Sequence, residues 1–341
     1  MSTSFKNDYS VLAHPRIIEA ISRFHYENNE VYGLDYHSDK AKKYIKEIFG
    51  VPDAEVVFLT TGTQTNMVFL SSALRHYEGV ICADSAHINV HETGAISGSG
   101  FSLLLLTNSN GKILPAQVEE AVNKQCDEHM VKPKVVYISN STEYGTIYKK
   151  EELKALYDTC KRLGLYLYID GARLGNALTS AENDIKPQEL ASLCDAFYVG
   201  GAKNGLMIGE ALVVINKDLQ KDYRYHIKNK GAMLSKGYLI GIEFEEAFKD
   251  GLYFELAKHS NEMADLVKQG FKELGIKTLE SPTNQIFVSL PKEEALIYIN
   301  KYGCEKWSEE KEATTIRFVT SFVTTEEEVK ELLEFVKDTH K

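Results

Sequence analysis

Asp170, Arg173, Lys203 and His87 are the residues of this chain whose types and spacing could do chemistry. Asp170 closes the apolar run "LYLYIDG" (165–171), so a strand carries a carboxylate to its end, and Arg173 follows three residues later. Burying a carboxylate alone costs several kcal/mol, so a cation must meet it. An ion pair with Arg173 is one answer and a protonated heterocycle is the other. Lys203 stands 33 residues further on in "DAFYVGGAKNGLMIG", straight after another apolar run and among glycines that let backbone approach closely. His87, in "CADSAHINVHETGA", follows a third such run.

A ring nitrogen that takes an Asp partner and an aldehyde that needs a Lys are together the requirements of pyridoxal phosphate. "LTTGTQTNMVFL" adds a strand-to-helix turn at Thr60–Gln64, whose free N–H groups and positive helix end suit a phosphate. Ordinary helix capping by Thr is the commoner reason for such a turn. It is neither a Walker motif nor a G-x-G-x-x-G fingerprint. His87 and His91 sit at i, i+4 like a metal pair, but no H-E-x-x-H pattern accompanies them, and no metal is expected.

Elements that would position these residues are legible as a rhythm. From about residue 40 to 215, helical patterns alternate with short apolar runs: "AEVVFL", "GVICAD", "FSLLLLT" (101–107), "KVVYISN" (134–140), "LYLYIDG", "AFYVGGAK" and "EALVVIN" (210–216). Such alternation predicts an α/β fold with a mostly parallel sheet covered by helices. In such sheets ligands gather at the carboxyl ends of the strands, where the unusual residues of this chain fall. After about 230, long helical stretches (238–250, 253–274) precede the strands "NQIFVSL" and "TTIRFVTSF", which predicts a smaller α+β domain. The division expected is 1–30 at the domain junction, 31–235 as the large domain and 236–341 as the small C-terminal one.

Composition bounds the partners. With 49 acidic against 39 basic residues the net charge is −10, which opposes affinity for nucleic acid. No apolar run approaches the ~20 residues that span a bilayer, and "MSTSFKNDYSVLAHP" lacks a secretory core, so a cytoplasmic protein with a small-molecule partner is expected. Five scattered cysteines without a C-x-x-C spacing argue for free thiols.

Taken together, "VYG" (31–33), "TTGTQTN" (60–66), "AHINVHETGA" (86–95), "GKILP" (111–115), "YIDGARLGNAL" (168–178), "CDAFYVGGAKNG" (194–205) and "IRFVTSF" (316–322) resemble the low-specificity L-threonine aldolases. These belong to the β-eliminating-lyase group of fold-type-I, aspartate-aminotransferase-like pyridoxal-phosphate enzymes. The resemblance spans nearly the whole chain. It implies retro-aldol cleavage of L-threonine or L-allo-threonine to glycine and acetaldehyde, with Lys203 as the Schiff-base lysine and Asp170 as the pyridinium partner. It also implies His87 stacked on the cofactor, Gly62 and Thr63 at the phosphate, and Arg173 and Arg317 on the substrate carboxylate. Whether His87 is the base for the β-hydroxyl or only a stacking residue stays open. A homodimer or homotetramer is implied, with Tyr32 lent across the interface.

The chain departs from the family's pattern in places. Asn7 stands where a Ser near the carboxylate is usual, and Asn204 replaces the usual Gly after the lysine. Leu234 occupies the place of a phosphate-binding arginine, which leaves Lys228 or Lys236 to supply that charge. His129 loosely matches a second histidine over the substrate. Another β-eliminating lyase, an aldolase for bulkier β-hydroxy amino acids, an aminotransferase or a pyridoxal-phosphate-binding protein without aldolase activity stay open as alternatives.

Overall fold

The computed structural model describes residues 3–340. Its centre is a seven-stranded sheet of β1 (Glu55–Leu59), β2 (Glu78–Ala83), β3 (Ser102–Leu106), β4 (Lys132–Ser139), β5 (Tyr166–Asp170), β6 (Ala196–Gly200) and β7 (Glu210–Val214), in the order β1-β7-β6-β5-β4-β2-β3. Only β7 runs antiparallel to its neighbours, β1 and β6. The mostly parallel α/β architecture expected from the sequence is therefore present. β2, β6 and β7 are buried along their whole length, which explains why they read as continuous apolar runs.

Helices cover the sheet for local reasons that the sequence states. The helix Tyr36–Phe49 buries Ala41, Ile45 and Phe49, spaced four apart on one face. Each large apolar side chain buried this way stabilises by about 1.5–3 kcal/mol. Asp35 caps its start by accepting from Ser38 N at 2.8 Å, and Gly50 ends it at φ +66°, a left-handed conformation that glycine adopts without strain.

A second sheet, antiparallel, joins β8 (Gln285–Pro291), β10 (Ala313–Val319) and β9 (Glu305–Glu309) in the order β8-β10-β9. Its core gathers Phe271, Ile286, Val288, Ile316, Phe318 and Leu332. The 22-residue helix Leu252–Glu273 runs from one core to the other. Tyr253 packs with the large sheet, and Met263, Val267 and Phe271 pack with the small one. Phe5 also lies in the small-sheet core; its N–H donates to Tyr302 O at 3.0 Å, and its carbonyl accepts from Val319 N at 2.8 Å. β9, "EKWSE", is an exposed edge strand that the sequence reading did not contain.

Among the described residues no helix is long and apolar enough to cross a membrane, and no cluster of three His, Cys, Asp or Glu side chains is placed to hold a metal ion. All five cysteines are free, four of them buried and Cys126 exposed.

Candidate active site

The chain turns at the carboxyl ends of β1, β2, β4, β5 and β6 deliver Gly62, His87, Glu143, Arg173 and Lys203 to one edge of the large sheet. The antiparallel β7 brings its first residue, Glu210, to that same edge, opposite Leu59 and Gly200. Between them lies a cavity of about 440 Å³, whose wall includes Thr63, His87, Asp170, Arg173, Lys203 and Glu210.

Asp170 is buried, and its partners are not cationic. Oδ2 accepts from the Tyr137 hydroxyl at 2.6 Å and from Asn66 Nδ2 at 3.1 Å, while Oδ1 accepts from Ala172 N at 3.0 Å. The ion pair with Arg173 considered above is absent. Arg173 turns instead to Asp8, with Nε to Oδ2 at 2.7 Å and Nη2 to Oδ1 at 3.0 Å. Asp170 is thus a buried carboxylate held by neutral donors and facing the cavity, a place that a cationic ring nitrogen completes.

Burial, and then the nearby Arg173 guanidinium, pushes the Lys203 amine below the usual lysine range. Its free-base form is therefore populated at lower pH than in an exposed lysine, which makes it a nucleophile. Burial also raises the Glu210 carboxyl, whose Oε2 accepts from Gly201 N at 2.8 Å and so braces the turn carrying Lys203.

Opposite, the helix Gly62–Ala73 points its N-terminus at the cavity. Thr61 caps it, taking Gln64 N on its hydroxyl at 3.2 Å and Thr65 N on its carbonyl at 2.9 Å. The N–H groups of Gly62 and Thr63 remain for an anion. A Cβ on Gly62 would stand 3.0 Å from the Tyr198 hydroxyl, so the turn is tight at that point.

His87 opens the short helix His87–Val90. Its Nδ1 lies 2.8 Å from Glu92 Oε1, and its backbone N–H donates to Glu143 Oε1 at 3.0 Å. Glu143 also accepts from Ser139 Oγ at 2.7 Å, and burial raises its carboxyl above the ordinary range.

Several residues singled out from the sequence lie elsewhere in the single chain. Asn7 spends its Oδ1 on Tyr9 N at 3.1 Å and Ser10 Oγ at 2.8 Å, capping its own turn, and Asp8 reaches the site in its place. His129 is exposed in the loop before Lys132, at the amino end of β4, whereas the cavity lies beyond Ser139 at the other end. An eight-residue strand separates the two, about 26 Å of extended chain.

Tyr32 and Lys228 meet each other, Nζ 5.6 Å from the ring centroid, beside a separate small hollow shared with Leu234. Lys236 is exposed and is not on the cavity wall. Arg317, on β10, is not on the cavity wall but lies near enough to Arg173 for the two charges to interact. Its Nη1 donates to Gln285 Oε1 at 2.9 Å, Nη2 pairs with Glu305, and Nε has no partner among the described residues.

Asp8, Asn66, Glu92, Tyr137, Glu143 and Glu210 belong to the site but were missed in the sequence. Glu210 begins a strand, so attention to strand ends passes over it. The "STEYG" turn after β4 (141–145) was the available signal for Glu143, a carboxylate at a strand end like Asp170.

The family of beta-eliminating lyases matches residues 14–293. The low specificity L-threonine aldolase of Pseudomonas aeruginosa is 34% identical over 290 residues, covering 83% of each chain. Among solved structures, a threonine aldolase of Leishmania major superposes with a TM-score of 0.97 at 42% identity, over 98% of this chain and 99% of that one. An aspartate aminotransferase of Thermus thermophilus shares the fold at a TM-score of 0.74 and 14% identity, over 99% of this chain and 91% of that one. Matched by that family over residues 14–293 and similar along most of its length to a threonine aldolase, this chain belongs to the beta-eliminating lyase family.

Proposed function

We propose that this protein is a pyridoxal 5′-phosphate-dependent aldolase that cleaves L-threonine and L-allo-threonine to glycine and acetaldehyde. The observation that carries this reading is the pairing of Lys203 and Asp170 across one cavity, an amine lowered by burial opposite a carboxylate that lacks a cation. The threonine aldolases to which the chain is similar support it.

The residues fit the cofactor. The N–H groups of Gly62 and Thr63 suit its phosphate, Asp170 its ring nitrogen and Lys203 its aldehyde, with His87 as a wall. When bound, the cofactor supplies an electron sink for the pair released at Cα. Arg173, steered by Asp8, and Arg317 bind the amino acid's carboxylate and so orient the Cα–Cβ bond. His87 accepts the β-hydroxyl proton, the Cβ–O bond becomes a carbonyl and acetaldehyde leaves. Cα takes up one proton in exchange, which gives glycine. Lys203 is the residue that would hold the cofactor's aldehyde between turnovers.

Leu12, Tyr26, Leu34 and Tyr36, all more than half exposed within one short segment, support association of at least two copies. Gel filtration tests this, with a fully active 38.4 kDa monomer as the contrary result.

The deciding experiment is acetaldehyde release from L-threonine and L-allo-threonine by the protein reconstituted with pyridoxal phosphate. Release from both supports the proposal. No release, with a visible absorption band that still responds to other amino acids, moves the function to another lyase.

A further inference from the structure

Behind His87 runs a line of buried hydrogen bonds that the reaction above does not use. Glu92 Oε1 lies 2.8 Å from His87 Nδ1 and also accepts from Asn66 Nδ2 at 2.8 Å. The same Asn66 nitrogen donates to Asp170 Oδ2 at 3.1 Å. On its other side, Asn66 Oδ1 accepts from the Tyr168 hydroxyl at 3.0 Å. The two carboxylates, which only accept, fix the amide's sense, with nitrogen toward them and oxygen toward the phenol. The Glu92 side chain is wholly buried, and its Oε2 has no partner among the described residues.

An ionised carboxylate only accepts hydrogen bonds. The nitrogen of His87 that faces Glu92 must therefore be the protonated one, and in a neutral imidazole the other nitrogen is then a bare acceptor. Because Nδ1 points into the protein, Nε2 is the ring atom left to the cavity that His87 lines. The other titratable groups around the ring do not compete for Nδ1. His91 stands 5.4 Å away centroid to centroid, Glu143 engages only the backbone N–H, and Lys203, Asp170, Arg173 and Glu210 lie on the cavity wall.

We infer that Glu92 is a positioning residue that holds His87 as the Nδ1–H tautomer and presents Nε2 as the proton acceptor, with Asn66 locking this arrangement to Asp170. The role assigned to Nε2 rests on the aldolase reading above; the tautomer does not. One buried network then sets both faces of the reaction, the atom that takes the hydroxyl proton and the carboxylate that serves the ring nitrogen.

Nitrogen-15 histidine spectra of the whole cofactor-loaded protein test this, with the His87 signal identified by its loss in His87→Asn. The expected result is an Nδ1–H imidazole in the wild type. In Glu92→Gln, whose amide can donate to the ring, the Nε2–H form should appear. The kcat for L-threonine should then fall roughly 10²-fold or more, with KM little changed and the visible absorption band retained. An Nε2–H imidazole in the wild type overturns the inference, as does an unaltered tautomer in Glu92→Gln. The wild-type spectrum decides even if the variant fails to fold. Absence of acetaldehyde from the wild type overturns the aldolase reading while leaving the tautomer result to stand.

Discussion

Asp8 and Arg173, 165 residues apart in the chain, meet edge to edge, with Nε to Oδ2 at 2.7 Å and Nη2 to Oδ1 at 3.0 Å. Asn284 Nδ2 adds a third donor to Asp8, at 2.9 Å. Burial by itself pushes the Asp8 carboxyl up, but the Arg173 guanidinium, joined by the Lys203 charge and the Asn284 hydrogen bond, outweighs it and holds the carboxyl below the usual range. With that edge of Arg173 occupied, its other edge, the two Nη1 hydrogens and the second Nη2 hydrogen, is left for the substrate carboxylate of the proposed reaction.

Asp8→Asn strands a buried guanidinium. The expected cost is about 3–5 kcal/mol of stability, read by urea unfolding, together with a higher KM for L-threonine. The lowered carboxyl contributes stability that is present above its ordinary value of 3.8 and lost as pH falls through its lower folded value. The wild-type advantage over Asp8→Asn should therefore shrink in acid. An advantage that is equal at pH 7 and in strong acid would contradict the pairing.

Lys203→Ala should abolish both the visible absorption of the reconstituted protein and its turnover, while leaving the unfolding midpoint without cofactor unchanged or raised. A rise is reasonable because the variant removes a buried amine whose charge burial disfavours. Persistence of the band would move the covalent link to another lysine.

Gly171 follows Asp170 where a Cβ would lie 1.8 Å from the Tyr198 carbonyl oxygen, a backbone atom that cannot step aside. Gly171→Ala should therefore displace β5 from β6 and cost more than about 4 kcal/mol, the range that marks a specific structural clash. Near-wild-type urea unfolding would show that the two strands are less tightly opposed.

Glu243 is fully buried in the helix Tyr238–Phe248 and accepts from Met207 N at 2.6 Å and Ile208 N at 3.3 Å, in the loop that follows Lys203. Burial pushes its carboxyl from 4.5 up to about 7. A raised carboxyl contributes stability that is full below 4.5 and lost as pH rises through 7, on the order of 3 kcal/mol in all. Glu243→Gln, neutral throughout, should gain on the wild type between these values in thermal melts. Parallel melting curves from pH 4.5 to 8 would exclude the effect.

Most of the large sheet was legible because strands such as β2, β6 and β7, buried along their whole length, spell themselves as apolar runs, and even the more exposed edge strand β3 is rich in Leu. β9 was not, because an exposed edge strand of Glu, Lys and Ser carries no such pattern. Asp170, Lys203 and His87 stood out in the sequence because Asp170 ends β5 and the other two come within about one turn of the ends of β6 and β2. Asp8 and Glu92 take their meaning from partners that only the folded chain brings near. His129 is different: it precedes the run 134–140, so sequence order alone put it at the amino end of β4, away from the carboxyl ends where the site forms.

The backbone of Phe5 is held between Tyr302 and Val319. During synthesis Phe5 leaves the ribosome roughly 300 residues before either partner exists, a wait of about 15–60 s at usual elongation rates. Asp8, three residues further on, cannot settle beside Asn284 until β8 has also been made. The nascent chain therefore carries Phe5 without its shelter through most of translation, and the set of donors around Asp8 is complete only once the small sheet has formed.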